Sequence, residues 1–171
     1  MWFFCTAVLS GDMDIKFTTA CSEDIDTIYC NAISVYEMFQ PYMLFFEDFR
    51  FSIYNDIRNH LSDCHVVKYR GKKVAYYCLG ELDGSIELRY LYVEEQHRFR
   101  GIATAIVRRC VSDTERPINA KVHFANYEVQ SLLRHNGFVQ TESSQDHIYN
   151  YVYKNDGTDR SCYADLMILS I

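Results

Sequence analysis

The sequence predicts one mixed α/β (α+β) domain, a mostly antiparallel sheet of roughly six to seven strands flanked by about four helices. Three observations carry this reading. The chain has 171 residues and is 49% hydrophobic, with 14 Tyr and 11 Phe, which suits one sizeable core and excludes a disordered chain. Residues 65–93 hold three alternating apolar runs separated by Arg70-Gly71-Lys72 and Asp83-Gly84, the marks of a meander. Elsewhere, apolar residues recur at steps of three and four, the spacing of one helix face.

Asp14–Thr19 reads as the first strand, Ile15 and Phe17 alternating with polar neighbours. Ser22 is placed as the N-cap of a helix whose first turn holds Glu23 and Asp24, where the helix dipole favours acids. Ile25, Ile28, Tyr29, Ala32, Tyr36 and Phe39 carry that helix to Gln40-Pro41, where the residue before proline leaves the helical region. Phe45–Leu61 is read as a second helix. The apolar join Tyr42–Phe46 suits either core packing or one wall of a substrate pocket. His65–Tyr69, Val74–Glu81 and Ile86–Val93 are the meander strands. A helix over Ile102–Val111, a strand over Ile118–Phe124 and a helix over Asn126–Asn136 follow. Gly137 suits the position just past a helix end. Phe138–Glu142 and Ile148–Tyr153 form a last hairpin.

The domain is set at residues 13–154. Trp2–Leu9 is apolar but short of the ~20 residues that span a bilayer, and no basic residue precedes it. A secretory signal is the weaker reading; because clean strand patterning begins only at Asp14, residues 1–12 are read as an upstream extension or a loosely packed tail, with Met13 as the natural start, and no membrane partner is expected. The tail 155–171 suits an extra strand, a docking element or an oligomer contact such as a homodimer. The seven Cys are scattered singly without a Cys-x-x-Cys pair, which predicts reduced thiols packed as small hydrophobes in a cytoplasmic protein. A net charge of -6 argues against general affinity for nucleic acid and mildly favours a cationic substrate. The His residues show no metal-ligand spacing, so no metal is expected.

Chemistry concentrates at Glu87–Thr104, where a strand ends in the turn Arg98-Phe99-Arg100-Gly101-Ile102-Ala103-Thr104 and a helix begins on it. Amides at a helix N-terminus lack partners within the helix and sit at the positive end of its dipole, so they suit phosphate. Gly101 and Ala103 keep bulk away from an approaching anion, and Arg98 and Arg100 add charges able to fork onto phosphate oxygens. The turn lacks the Lys-Ser/Thr ending of a P-loop and the three-glycine spacing of a dinucleotide fold. Spacing alone leaves a nucleotide, a phosphorylated metabolite or coenzyme A open. His97 beside the turn is a further candidate phosphate contact, an exposed loop histidine being the bland reading.

With this element order, Arg98-Phe99-Arg100-Gly101-Ile102-Ala103 and the later Asn126…Gly137-Phe138 make residues 14–154 resemble the GCN5-related N-acetyltransferase (GNAT) family. The resemblance implies acetyl-CoA as acyl donor, with the amides of Arg98–Thr104 holding its pyrophosphate. The pantetheine arm would lie along Leu91, Tyr92 and Val93, with Asn126 nearby. It also implies direct transfer of the acetyl group to a primary amine of a small molecule or peptide. A lysine-like amine is below about 0.1% neutral at pH 7, so a base is useful. Glu87 matches the base of the family's histone-acetyltransferase branch. Alternation places it on the face of Leu91 and Val93, and the bland reading is a salt bridge with Arg89. Many members carry a Tyr seven residues after the Asn, which protonates the departing thiolate. Here that position is Leu133; Tyr127 and Tyr92 are the conceivable substitutes. Besides the enzyme, an acyl-CoA-binding module with little turnover and a structural subunit assembling through the tail remain readings of the chain.

Overall fold

The computed structural model describes residues 14–39, 49–143 and 148–154. The expectations for residues 1–12, the Tyr42–Phe46 join and the tail 155–171 lie outside them. The elements run β1 (Ile15–Thr19), α1 (Ile25–Phe39), α2 (Phe49–Asn59), β2 (Cys64–Tyr69), β3 (Lys72–Leu82) and β4 (Ser85–Val93). They continue with α3 (Ile102–Ser112), β5 (Ile118–His123), α4 (Tyr127–His135), β6 (Val139–Ser143) and β7 (Ile148–Tyr153). The expected start of α2 at Phe45 also lies outside the described residues, and Leu61 opens a short 3-10 turn rather than closing the helix.

The strands form one seven-stranded sheet in the order β1-β2-β3-β4-β5-β7-β6. Every neighbouring pair is antiparallel except β4 and β5. That pair is parallel because α3 carries the chain back across the sheet between them. Two apolar cores result. Leu88, Val93, Ile102, Ile106, Val107, Ile118 and Leu133 pack between the sheet and α3 and α4. Ile28, Ala32, Ile53, Ile57, Val66 and Tyr76 pack between the sheet and α1 and α2. Among the described residues no helix is long and apolar enough to cross a membrane.

Three local expectations are corrected. Ser22 does not cap the first helix; it opens a 3-10 turn that leads into α1 and is itself capped at Cys21. That turn covers Ser22–Asp24, and the Asp24 carboxylate turns back to accept from the Cys21 amide at 3.0 Å. Asp24 is 3% exposed, and the Lys73 ammonium bonds it at 2.6 Å, which draws the turn onto β3.

The cysteines are not all free. Cys64 and Cys78 face each other across β2 and β3 and are joined as a disulfide. Hairpin register brings together thiols whose sequence separation of 14 shows no pairing motif.

The third correction concerns β4. Register shifts between Tyr76 and Cys78, and Tyr90 takes φ 53°, so β4 carries a bulge. A bulge adds one residue and exchanges the faces beyond it. Leu88 and Leu91, three apart, both pack toward α3 and α4, whereas Tyr90 and Tyr92 pack toward α1 and α2. Glu87 therefore shares the α1/α2 face with Arg89 and lies opposite to Leu91 and Val93, reversing the simple alternation.

Candidate acyl-donor cleft and acceptor face

Parallel pairing between β4 and β5 covers only Ile86–Leu88 and Ile118–Ala120, although the strands continue to Val93 and His123. Beyond Leu88 the two strands part. A cleft of about 270 Å³ lies at this opening, bounded by the end of β4, the start of α3, and α4. Leu91, Tyr92 and Val93 line it from the strand, Arg98, Phe99 and Gly101 to Thr104 from the turn and helix, and Asn126 from α4. Among the expected donor-binding residues only Arg100 is outside the lining, exposed beside it.

The start of α3 is shaped for an anion. Gly101 is the N-cap at φ 78° and ψ 1°, a left-handed conformation that glycine adopts without strain. Its carbonyl accepts the Ala105 amide at 2.9 Å, the first bond of the helix. The amides of Ile102, Ala103 and Thr104 precede that bond and have no acceptor within the helix. Ile102, Ile106, Val107 and Cys110 anchor the helix's other face in the core, so the N-terminus is rigidly aimed. Arg98 is held back: its Nε donates to the Val93 carbonyl at 3.1 Å and its guanidinium lies 5.8 Å from the Tyr92 ring. Its Nη groups remain available to an anion. His97 also lines the cleft, with Nδ1 3.3 Å from a Glu94 carboxylate oxygen.

Sequence reasoning missed one wall. Val35, Met38 and Phe39, from the end of α1, close the cleft on one side. Phe39 stacks on His123 at the end of β5, with centroids 4.9 Å apart, fastening the helix end near the parting strands. No local signal marks this contact, because it joins residues more than eighty positions apart. Val129 and Leu132 line the cleft from α4, their i and i+3 spacing marking one face of that helix. Asn126 caps α4 by accepting the Val129 amide at 3.2 Å, so it has a structural task beside any ligand contact.

Glu87 lies outside the cleft lining, on the α1/α2 face. Its side chain is 15% exposed and pairs with Lys121 Nζ at 2.9 Å; Arg89 Nε is farther, at 3.9 Å. The expected Arg89 pairing is thus the lesser one, since Arg89 Nη1 donates to both oxygens of Asp56 on α2, at 3.0 and 2.9 Å. Tyr90 Oη donates to Asp56 at 2.8 Å, and His60 Nδ1 lies 3.1 Å from it. Gly80 leaves room for this arrangement, because a Cβ there would collide with the Arg89 guanidinium. Burial, then the negative charges of Glu87 and Asp56, push the Tyr36 phenol up against an opposing Arg89. Burial and the Asp56 hydrogen bond push Tyr90 up as well. Both phenols therefore stay protonated donors at neutral pH.

Leu133 is fully buried in the core, so α4 offers no hydroxyl seven residues after Asn126. Of the two substitutes, Tyr127 is 70% exposed and outside the cleft lining, whereas Tyr92 is in it. Burial pushes the Cys110 thiol up to about 12, which leaves it unreactive.

Residues 60–140 match the family model described as the acetyltransferase (GNAT) domain. The chain carries a GNAT domain. No curated protein matches the sequence. Among solved structures, a GNAT-family acetyltransferase from Streptococcus agalactiae superposes with a TM-score of 0.66 at 13% identity, covering 82% of this chain and 95% of that one. The PaiA N-acetyltransferase of Thermoplasma acidophilum, solved with coenzyme A, gives 0.65 at 15%, covering 83% and 99%. NAA60 of Arabidopsis thaliana, solved with a bisubstrate analogue, gives 0.59 at 16%, covering 81% and 97%. At these identities the structural likeness carries the fold, and the seven-stranded sheet with four helices is the GNAT fold. The motif at Arg98–Ala103 and the Asn126…Gly137-Phe138 pair both fall within the matched residues.

Proposed function

We propose that the protein is an acetyl-CoA-dependent N-acetyltransferase that acetylates a primary amine of a small molecule or peptide by direct attack in a ternary complex. The parting of β4 and β5 over the open N-terminus of α3 carries the reading. It offers an extended donor one continuous path from an anion site to the interior of the sheet. Coenzyme A complexes among solved proteins of this fold support it.

The residues present suit coenzyme A. The amides of Ile102, Ala103 and Thr104, with the Nη groups of Arg98 and the nearby Arg100, would hold the pyrophosphate. The end of β4, no longer paired to β5, would bind the pantetheine amides as a strand binds a neighbour. When bound, acetyl-CoA supplies a thioester whose carbonyl carbon receives the amine. Glu87 would take one proton of the substrate ammonium through water, leaving a neutral amine whose nitrogen forms the new C–N bond as the C–S bond breaks; the second nitrogen proton would pass to solvent. Lys121 orients that carboxylate. The thiolate takes a proton from solvent or from Tyr92, the one phenol lining the cleft among the described residues; a thiol pKa near 8.5 makes it a tolerable leaving group.

Leu133 favours a second reading, an acyl-CoA-binding module with little turnover. Two measurements separate them: thermal stabilisation by acetyl-CoA, and release of free thiol across a panel of amines. Stabilisation with amine-stimulated thiol release supports the enzyme. Stabilisation without release supports the module, and neither effect removes the donor site.

A further inference from the structure

We propose that Phe99 is the adenine-stacking residue of the donor site, an inference that rests on the coenzyme A reading above. Phe99 is 92% exposed, the most exposed of the large hydrophobic side chains among the described residues, and its backbone holds φ 58°. Three other described residues besides glycine have positive φ, and each has a visible reason. Arg70 and Asp83 are followed by Gly71 and Gly84 in the tight turns of the meander. Tyr90 forms the β4 bulge and bonds Asp56 through its hydroxyl. Phe99 belongs to no hairpin, and its ring gains almost no burial. A bulky residue at positive φ is costly, and glycine or asparagine would fit the backbone more easily. Folding alone does not account for the ring, and strained conformations of this kind gather at ligand sites.

The ring's position selects the part of the ligand. Phe99 stands two residues before the N-cap Gly101, at the rim of the cleft it helps to line. Val93 and Leu91, deeper along β4, are buried and half-buried. From a pyrophosphate at α3, the thiol-bearing arm runs inward past Val93, so the adenosine leaves outward, past Phe99. An exposed aromatic face there offers the base a stacking partner that the backbone amides cannot supply.

Titration calorimetry of the full chain with coenzyme A and with 4′-phosphopantetheine, which lacks adenosine, tests the assignment. Phe99→Ala is expected to weaken coenzyme A about 10-fold or more, in line with the loss of one base–aromatic stack. It should leave 4′-phosphopantetheine within about 2-fold. Phe99→Trp should restore coenzyme A binding. Phe99→Gly should weaken coenzyme A while raising the ligand-free Tm by about 2–4 °C, because relief of left-handed strain stabilises the fold. Tyr127→Ala, the loss of an exposed ring outside the cleft, should change neither affinity. Equal weakening of both ligands by Phe99→Ala, or no weakening, would overturn the assignment. If the unaltered chain binds neither ligand, the donor site itself is wrong and this inference falls with it; binding of both by the unaltered chain tests Phe99 alone.

Discussion

The two faces of the sheet are built from different materials. Toward α3 and α4, the sheet is lined by an apolar cluster of aliphatic side chains with Tyr77, Phe138 and Tyr151, and its candidate site relies on backbone amides at a helix start. Toward α1 and α2, Asp56, Glu87, Arg89, Tyr90 and Lys121 form a network of charges and hydroxyls around an apolar centre. A donor common to many reactions can be held by features that almost any sequence supplies. An acceptor needs side chains particular to its own chemistry. In the proposed function donor binding belongs to the first face and proton handling to the second, and substitutions can separate them.

The largest expected effect is on the first face. Gly101→Glu places a carboxylate at the helix start and forces a side chain into a left-handed backbone, so coenzyme A affinity should fall by about 100-fold or more. Calorimetry measures it, and a Kd within about 3-fold of the unaltered chain would remove the turn from the donor site. On the second face, Glu87→Gln should leave that Kd unchanged and lower kcat by roughly 100-fold. The loss should be greatest at low pH, where neutral amine is scarcest; an unaltered pH–rate profile would exclude Glu87 as base.

Asp56→Ala strands the buried edge of Arg89 and removes the Tyr90 hydrogen bond, which should cost about 2 kcal/mol in chemical denaturation. Coenzyme A affinity should be unaffected, since the network lies across the sheet from the donor site; a parallel loss would blur the division. Gly80→Ala displaces the same guanidinium and should reproduce part of that loss.

Asp24→Asn should have the smallest effect, about 1 kcal/mol through weakening of the charge-assisted bonds from Lys73 and the Cys21 amide. Burial raises the Asp24 carboxyl, but Lys73 and the Cys21 amide outweigh it and hold the group below its ordinary 3.8. A folded value below the unfolded one means that the contribution is present above pH 3.8 and lost as pH falls through the folded value. Stability of the unaltered chain should therefore drop below that pH with a component absent from Asp24→Asn.

The lining of the candidate cleft was largely legible because its signals are local. Strand, turn and helix follow within Glu87–Thr104, and an open helix start is a property of the helix itself. Asn126 was legible as well, although its capping bond to Val129 appears only in the structure. The acceptor face was not. Glu87 could be picked out, but its face could not, because the bulge at Tyr90 changes no residue type in the pattern. Lys121 reaches Glu87 only through the parallel pairing of β4 with β5, and Asp56 reaches Arg89 from a helix 33 residues earlier.

The sequence by itself determined the order and kind of the elements and the position of the turn, since periodicity and turn chemistry act over a few residues. Tertiary structure alone decided which face Glu87 occupies, which cation holds it, the Cys64–Cys78 pairing and the α1 wall of the cleft. Each of these depends on strand register or helix docking between distant segments, and cross-strand packing sets both without leaving a mark in either segment.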